Sequence, residues 1–142
     1  MDFDRERAAI AVVAEAGRQG LLGACHTVGR WGVAVAICEA ALGARDEAAG
    51  VDVTLPDPGR EAEAWLFGAG GPAWVATARP EAVPAVQELA RRGEPAVPVH
   101  VIGRVTPGRV RIAVAGQGIA LDEPIDALRI PWERALQEAA RP

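Results

Sequence analysis

The residues best suited to chemistry gather between Gly20 and Leu42. Cys25-His26-Thr27 ends a short apolar run, Gly29, Arg30 and Gly32 follow as a glycine-punctuated turn, and from Gly32 to Leu42 only Glu39 is charged. A segment so apolar around its circumference is expected to be a helix buried on most sides. The turn then sets backbone N–H groups at a helix start, where they and the helix dipole can hold an anion. The competing reading of Gly29 and Gly32 is a tight turn with close strand–helix packing, since isolated glycines support a phosphate site only weakly. A second segment, Gly68-Ala69-Gly70-Gly71, can also cradle an anion. It precedes a strand expected over Ala73–Thr77, not a helix, so a plain turn is favoured there.

Other reactive side chains read as structural. Cys25 and Cys38 lie thirteen residues apart and form no zinc pattern with His26 and His100. Both are expected as buried free thiols, because free cysteine behaves as a small hydrophobe. His100, on a strand face opposite Val99 and Val101, is expected as a packed or half-exposed side chain. Glu61 and Glu63 suit the first turn of a helix better than an acid/base pair.

The elements that must position these groups follow from periodicity and punctuation. Met1–Gln19 is expected as a helix with Ala9, Val12, Val13 and Ala16 inward, capped by Asp2 or Asp4 and stopped at Gly20. Val51–Leu55 alternates as a strand and ends at Pro56-Asp57-Pro58-Gly59. Arg60–Phe67 reads as a short helix with Ala64 and Trp65 inward. Pro80–Arg92 reads as another, with its true start delayed by Pro84. Val97–Val105, the turn Thr106-Pro107-Gly108 and Arg109–Val114 predict an antiparallel hairpin. Gly116-Gln117-Gly118 turns into Ile119-Ala120-Leu121, and Pro131 is expected to start a closing helix with Trp132, Leu136 and Ala139. The class is α/β (α+β): a layered sandwich of helices on a mostly antiparallel sheet.

Composition narrows the function. A chain of 142 residues, half hydrophobic and about a quarter charged, matches one compact domain. Its net charge of −4, with no basic run, argues against nucleic acid as a partner. No signal peptide or membrane span is visible, so a cytoplasmic protein without a membrane partner is expected.

Gly20 to Leu42 resembles the C-terminal domain shared by phosphoribosylformylglycinamidine synthase, aminoimidazole ribonucleotide synthetase and their relatives. The family pattern is Gly-Leu, small residues, then His-Asp-Val-Ser-Asp/Glu-Gly-Gly-Leu-Ala-Val-Ala and an acidic residue. Here Gly20-Leu21 is followed by His26-Thr27-Val28-Gly29-Arg30-Trp31-Gly32-Val33-Ala34-Val35-Ala36 and Glu39. Two later family patterns correspond to Leu66-Phe67-Gly68-Ala69 and to Ile102-Gly103-Arg104-Val105. The likeness covers nearly the whole chain. It implies the family's layered fold and a single domain over 1–142 that lacks the family's N-terminal ATP-binding domain.

The departures fall on the chemical groups. Thr27 stands for the family's Asp, Gly29 for its Ser, Arg30 for its acid, Trp31 for its first paired Gly and Ala69 for a Glu. Each loss removes a group that Mg²⁺-dependent chemistry on a phosphorylated substrate would use. At the mouth of the family's cleft, Arg30 and Trp31 would repel Mg²⁺ and partly fill the pocket. Trp31 is therefore expected as a plug or interface anchor, with a core position as the alternative. The resemblance implies a stand-alone, non-catalytic homologue in a purine-related setting. It would bind a phosphorylated ligand through His26, Thr27, Gly29, Arg30, Gly32 and Gly68, with no metal or cofactor. A homodimer or association with a synthase subunit is expected. The alternatives are half of an ATP- and Mg-dependent C–N ligase completed in trans by an ATP-binding domain, and a structural self-association module.

Overall fold

The structure, a computed structural model, describes residues 3–46, 48–59, 62–68 and 72–139, without the side chains of 135–139. Asp2, Arg60, Glu61, Ala69, Gly70 and Gly71 lie outside the described residues, as do the side chains of Leu136 and Ala139.

Among the described residues the α and β elements follow one another as α1 (Phe3–Arg18), β1 (Leu22–Thr27), α2 (Gly32–Leu42), β2 (Ala49–Leu55), α3 (Ala62–Leu66), β3 (Trp74–Ala78), α4 (Val83–Arg91), β4 (Gly103–Pro107), β5 (Arg109–Val114), β6 (Gly118–Pro124) and α5 (Ile125–Ala139). The expected helix–strand alternation is present, and its strands divide between two sheets. β1 and β3 form an antiparallel ribbon, while the second sheet has the order β4-β2-β5-β6.

Local chemistry explains the boundaries. α1 buries Ala8, Ala9, Val12 and Ala16 and stops at Gly20, whose φ of 66° is left-handed. Leu21 N–H donates to Ala16 O and Gly20 N–H to Gly17 O, the paired bonds of a Schellman stop. Asp57 accepts from Gly59 N–H at 2.9 Å, closing the turn after β2. A 3₁₀ turn over Pro80–Ala82 leads into α4, whose α-helix begins at Val83; Val83 is helical although a proline follows it, and Pro84 sits in the first turn, where its missing N–H is tolerated. In α4, Glu88 accepts hydrogen bonds from Arg91 and Arg92, chiefly Arg91, which hold its carboxyl down at about 2.

Three expectations are corrected. Residues 97–102 form no strand, and β4 pairs antiparallel with β2 (Val51↔Val105), not with β5. β5 lies on the other side of β2 and runs parallel to it (Val53↔Ile112). The chain crosses over β2 at Gly108 alone, with φ of 71° and its N–H donated to Ala48 O. Gly50 admits the crossing, since a Cβ there would stand 2.0 Å from Arg109 O. The hairpin that does form joins β5 to β6 through residues 115–117. Second, α5 starts at Ile125, six residues before Pro131, which lies inside the helix. Ile125 is buried and Leu128 packs on the core, so tertiary anchoring carries the helix past the missing N–H. Third, Ala64 is exposed, and the inward residues of α3 are Leu66 and half-buried Trp65.

The core lies between α2, α5 and the four-stranded sheet: Ala34, Ile37 and Ala41 meet Val53, Leu55, Val110, Ile112, Val114, Leu66 and Ile125. The opposite face of that sheet is polar, with Arg111 donating to Asp52 at 2.9 Å and Arg109 to Asp122 at 2.5 Å. Among the described residues no helix is long and apolar enough to cross a membrane.

One contact fixes α2 on α3. Gly32 has φ of 84°, and a Cβ on it would lie 2.2 Å from Leu66 O and 2.7 Å from Phe67 Cα. Both the conformation and the space require glycine. Gly32→Ala is expected to cost about 2 kcal/mol or more, seen as a lowered urea midpoint. Gly29→Ala, with no atom within 4 Å of the added Cβ, is expected to shift it far less.

Candidate functional site

The candidate residues collect where β1 ends and α2 begins. β1 carries the chain to Thr27, Val28 N–H donates to Ala73 O at 2.8 Å, and Gly32 N–H donates to Gly29 O at 3.2 Å to close the turn. The α2 start has no side-chain cap: Trp31 occupies the cap position, and no acidic residue stands in the first turn. The N–H groups beyond Gly32 are thus the ordinary orphan donors of a helix start. Gly68 follows α3, and Gly32 abuts Leu66 and Phe67, so the turn before α2 lies beside the end of α3. Gly68 is itself crowded, with Ala64 O 2.2 Å from where its Cβ would be.

Trp31 is not in the core. It is 63 % exposed, with the Arg30 guanidinium 5.1 Å from its ring centroid in a cation–π contact. Phe67 beside it is 56 % exposed. No carboxylate among the described residues pairs with Arg30.

The interaction that spacing did not reveal is between His26 and Glu39. His26 Nε2 donates to Glu39 Oε2 at 2.8 Å, tying β1 to the eighth residue of α2, with both groups about one-third exposed. Two such groups thirteen residues apart meet only once the turn folds the strand back on the helix. Thr27 is exposed at the end of β1 and makes no contact with this pair that would complete a catalytic triad.

The cysteines also differ from expectation. Cys25 is exposed on β1 and Cys38 half-buried on α2, both as free thiols. Burial first, then the neighbouring Glu39 carboxylate, pushes the Cys38 thiol up to about 11. His100 is exposed in the segment before β4.

The donor set at the turn does not suit a hard divalent cation, which needs several oxygen ligands. His26, Thr27, Gly29, Arg30 and Gly32 supply no carboxylate, and Glu39 is engaged by His26. Among the described residues no three His, Cys, Asp or Glu side chains converge to hold a metal ion.

Residues 1–115 match the family described as AIR synthase related protein, C-terminal domain. The phosphoribosylformylglycinamidine synthase subunit PurL of Synechococcus sp. (strain WH7803) is 35% identical over 138 residues, covering 96% of this chain and 18% of that protein. Phosphoribosylformylglycinamidine synthase II of Thermotoga maritima shares the fold, with a TM-score of 0.70 at 19% identity over 91% of this chain and 22% of that one. The structure of PurLQS from T. maritima gives 0.69 at 21% identity, again over 91% and 22%. The chain spans about a fifth of the length of these relatives.

Two outcomes follow from this geometry. In a double-mutant cycle, His26→Ala and Glu39→Ala are expected to couple by about 0.5–1.5 kcal/mol, read from urea unfolding; zero coupling would show an idle contact. The Cys38 thiol is neutral longer when folded than its ordinary value of 9.0 allows when unfolded. Between those two values the unfolded chain holds fewer protons, so this contribution to stability is complete below pH 9 and is lost as pH rises toward about 11. Cys38→Ala should flatten that alkaline loss in a Tm-against-pH series.

Proposed function

The chain belongs to the AIR synthase related protein, C-terminal domain family, and from that premise we propose that it is a non-catalytic module binding a phosphorylated ligand in a purine-biosynthetic setting. The supporting observation is the start of α2: an uncapped turn, without a first-turn acid, beside an Arg30 that no described carboxylate neutralises. Orphan N–H groups and the positive end of the helix dipole favour a phosphate there, and a guanidinium adds a fork of donors. In this reading Gly29 and Gly32 shape the turn, Arg30 and the N–H groups meet the phosphate, His26 and Thr27 border it, and Gly68 closes the side formed by α3.

The residue chemistry supports a loss of catalysis. Where the family pattern has Asp, Ser, an acid and a Glu, this chain has Thr27, Gly29, Arg30 and Ala69. Phosphoryl transfer relies on metal-held charge stabilisation, and the turn supplies no carboxylate for it. The competing reading, a ligase half completed in trans by an ATP-binding domain, draws on the retained His26, Gly32 and Glu39. The His26 and Glu39 side chains are bonded to one another, and Gly32 is committed to the packing of α2 on α3. Association with a synthase subunit is part of the proposal, since a fold neighbour is the structure of PurLQS.

A thermal-shift panel of ATP, ADP, AMP, formylglycinamide ribonucleotide and inorganic phosphate, with and without Mg²⁺, tests this. A ribonucleotide at about a hundred times its Kd should raise stability by about 2.7 kcal/mol without Mg²⁺, a shift of several degrees. Arg30→Ala should weaken that binding about tenfold. No shift with any of them overturns the binding reading, and ATP hydrolysis dependent on formylglycinamide ribonucleotide overturns the non-catalytic one.

A further inference from the structure

Neither core packing nor helix capping accounts for Trp31. It occupies the cap position of α2 without a side-chain hydrogen bond to the helix, where Ser, Thr, Asp or Asn ordinarily supplies one. It is largely exposed, and the Arg30 guanidinium stacks over its ring. A second exposed aromatic stands close by. The residue after Trp31 is Gly32, and a Cβ there would lie 2.7 Å from Phe67 Cα. Four aromatic side chains are exposed among the described residues: Phe3, Trp31, Phe67 and Trp132. Two of them therefore share one corner of the molecule, and a local concentration of exposed apolar surface marks a binding surface more often than scattered residues do.

The size and charge of this corner select its occupant. Two aromatic side chains present less than about 500 Å² between them, well short of the roughly 800 Å² that each partner of a stable protein complex covers. A single planar ring fits that area. Every nucleobase has a π-face that stacks on an aromatic side chain. The charge beside the rings is Arg30, which no described carboxylate neutralises, so the matching ring is one carried by an anion. The chain is −4 overall and has no basic run, which favours a single nucleotide over a strand of nucleic acid.

We propose that Trp31, with Phe67 beside it, is the stacking platform for the base of a 5′-nucleotide, so that the ligand carries an aromatic base and is not an open-chain ribosyl phosphate. This inference rests on the phosphate-binding reading, which supplies the anion partner at Arg30. The two side chains then divide the work. Arg30 meets the phosphate common to every such ligand and sets affinity, while Trp31 meets the base and sets specificity. Formylglycinamide ribonucleotide, which has no aromatic ring, is accordingly a weaker ligand than AMP.

Calorimetric titration of AMP and of ribose 5-phosphate, which lacks the adenine, into the full chain is the test. AMP should bind about 5- to 100-fold more tightly. Trp31→Ala should close that gap and leave the affinity for ribose 5-phosphate unchanged, whereas Trp31→Phe should keep most of it. Circular dichroism confirms that Trp31→Ala remains folded; should it unfold, Phe67→Ala serves instead and should narrow the gap. Equal affinity for the two ligands overturns this inference and leaves the phosphate-binding reading standing. A gap that survives Trp31→Ala puts the base elsewhere and overturns it as well. Binding of neither ligand overturns the phosphate-binding reading and this inference together, and leaves the corner to an acidic segment of a protein partner.

Discussion

The absence of a single methyl group at Gly32 is the constraint on which the rest of the molecule turns. With φ at 84° and Leu66 O where a Cβ would sit, α2 can begin only where α3 ends. That contact fixes the angle at which the apolar helix crosses the four-stranded sheet, and so which residues form the core: Ile37 and Ala41 reach Val53, Ile112 and Val114 because the helix starts at that point. It also decides the shape of the candidate site. The same glycine that could cradle an anion is occupied in bringing two helices together, and the remaining chemistry depends on the N–H groups and side chains around it.

The site is simpler than the resemblance would lead one to expect. Among the described residues its polar bond between side chains, His26 Nε2 to Glu39 Oε2, joins the strand to the helix across the turn. Arg30 lies over the exposed Trp31, so a positive charge and an aromatic surface face outward where a carboxylate-rich pattern would bring cations in. The glycines and the apolar helix serve packing while Thr27 and Arg30 stand at the turn, so packing and chemistry draw on different residues. Members of a family can share a fold while differing in what the site can do.

Much of the fold was legible because its signals are local. Alanine and valine spacing in residues 3–18, the left-handed stop at Gly20, the Asp57 turn and the delayed start after Pro80 each depend on neighbours a few residues away. What failed was non-local. Thr106-Pro107-Gly108 reads as a hairpin turn, yet β4 and β5 part around β2 because Gly50 and Gly103 admit close backbone approach from residues some fifty positions distant. Pro131 reads as a helix start, yet Ile125 and Leu128 hold an earlier turn of that helix on the core. The residues of the candidate site were visible as a cluster in sequence. Their one specific contact was not, since it requires the orientation of α2 against β1.

The placement of β2 between β4 and β5 also sets the order of assembly. Neither edge of residues 49–55 can be satisfied until residues 103–114 arrive, so the central sheet closes only after most of the chain has been synthesised. Loops of that length must be closed before their contacts reward them, which slows folding relative to helix-rich domains of the same size. Until then Val51, Val53 and Leu55 form a nascent apolar strand without partners. The crossing at Gly108 is therefore expected to form late, with the chain's exposure to misassembly concentrated in the interval before it.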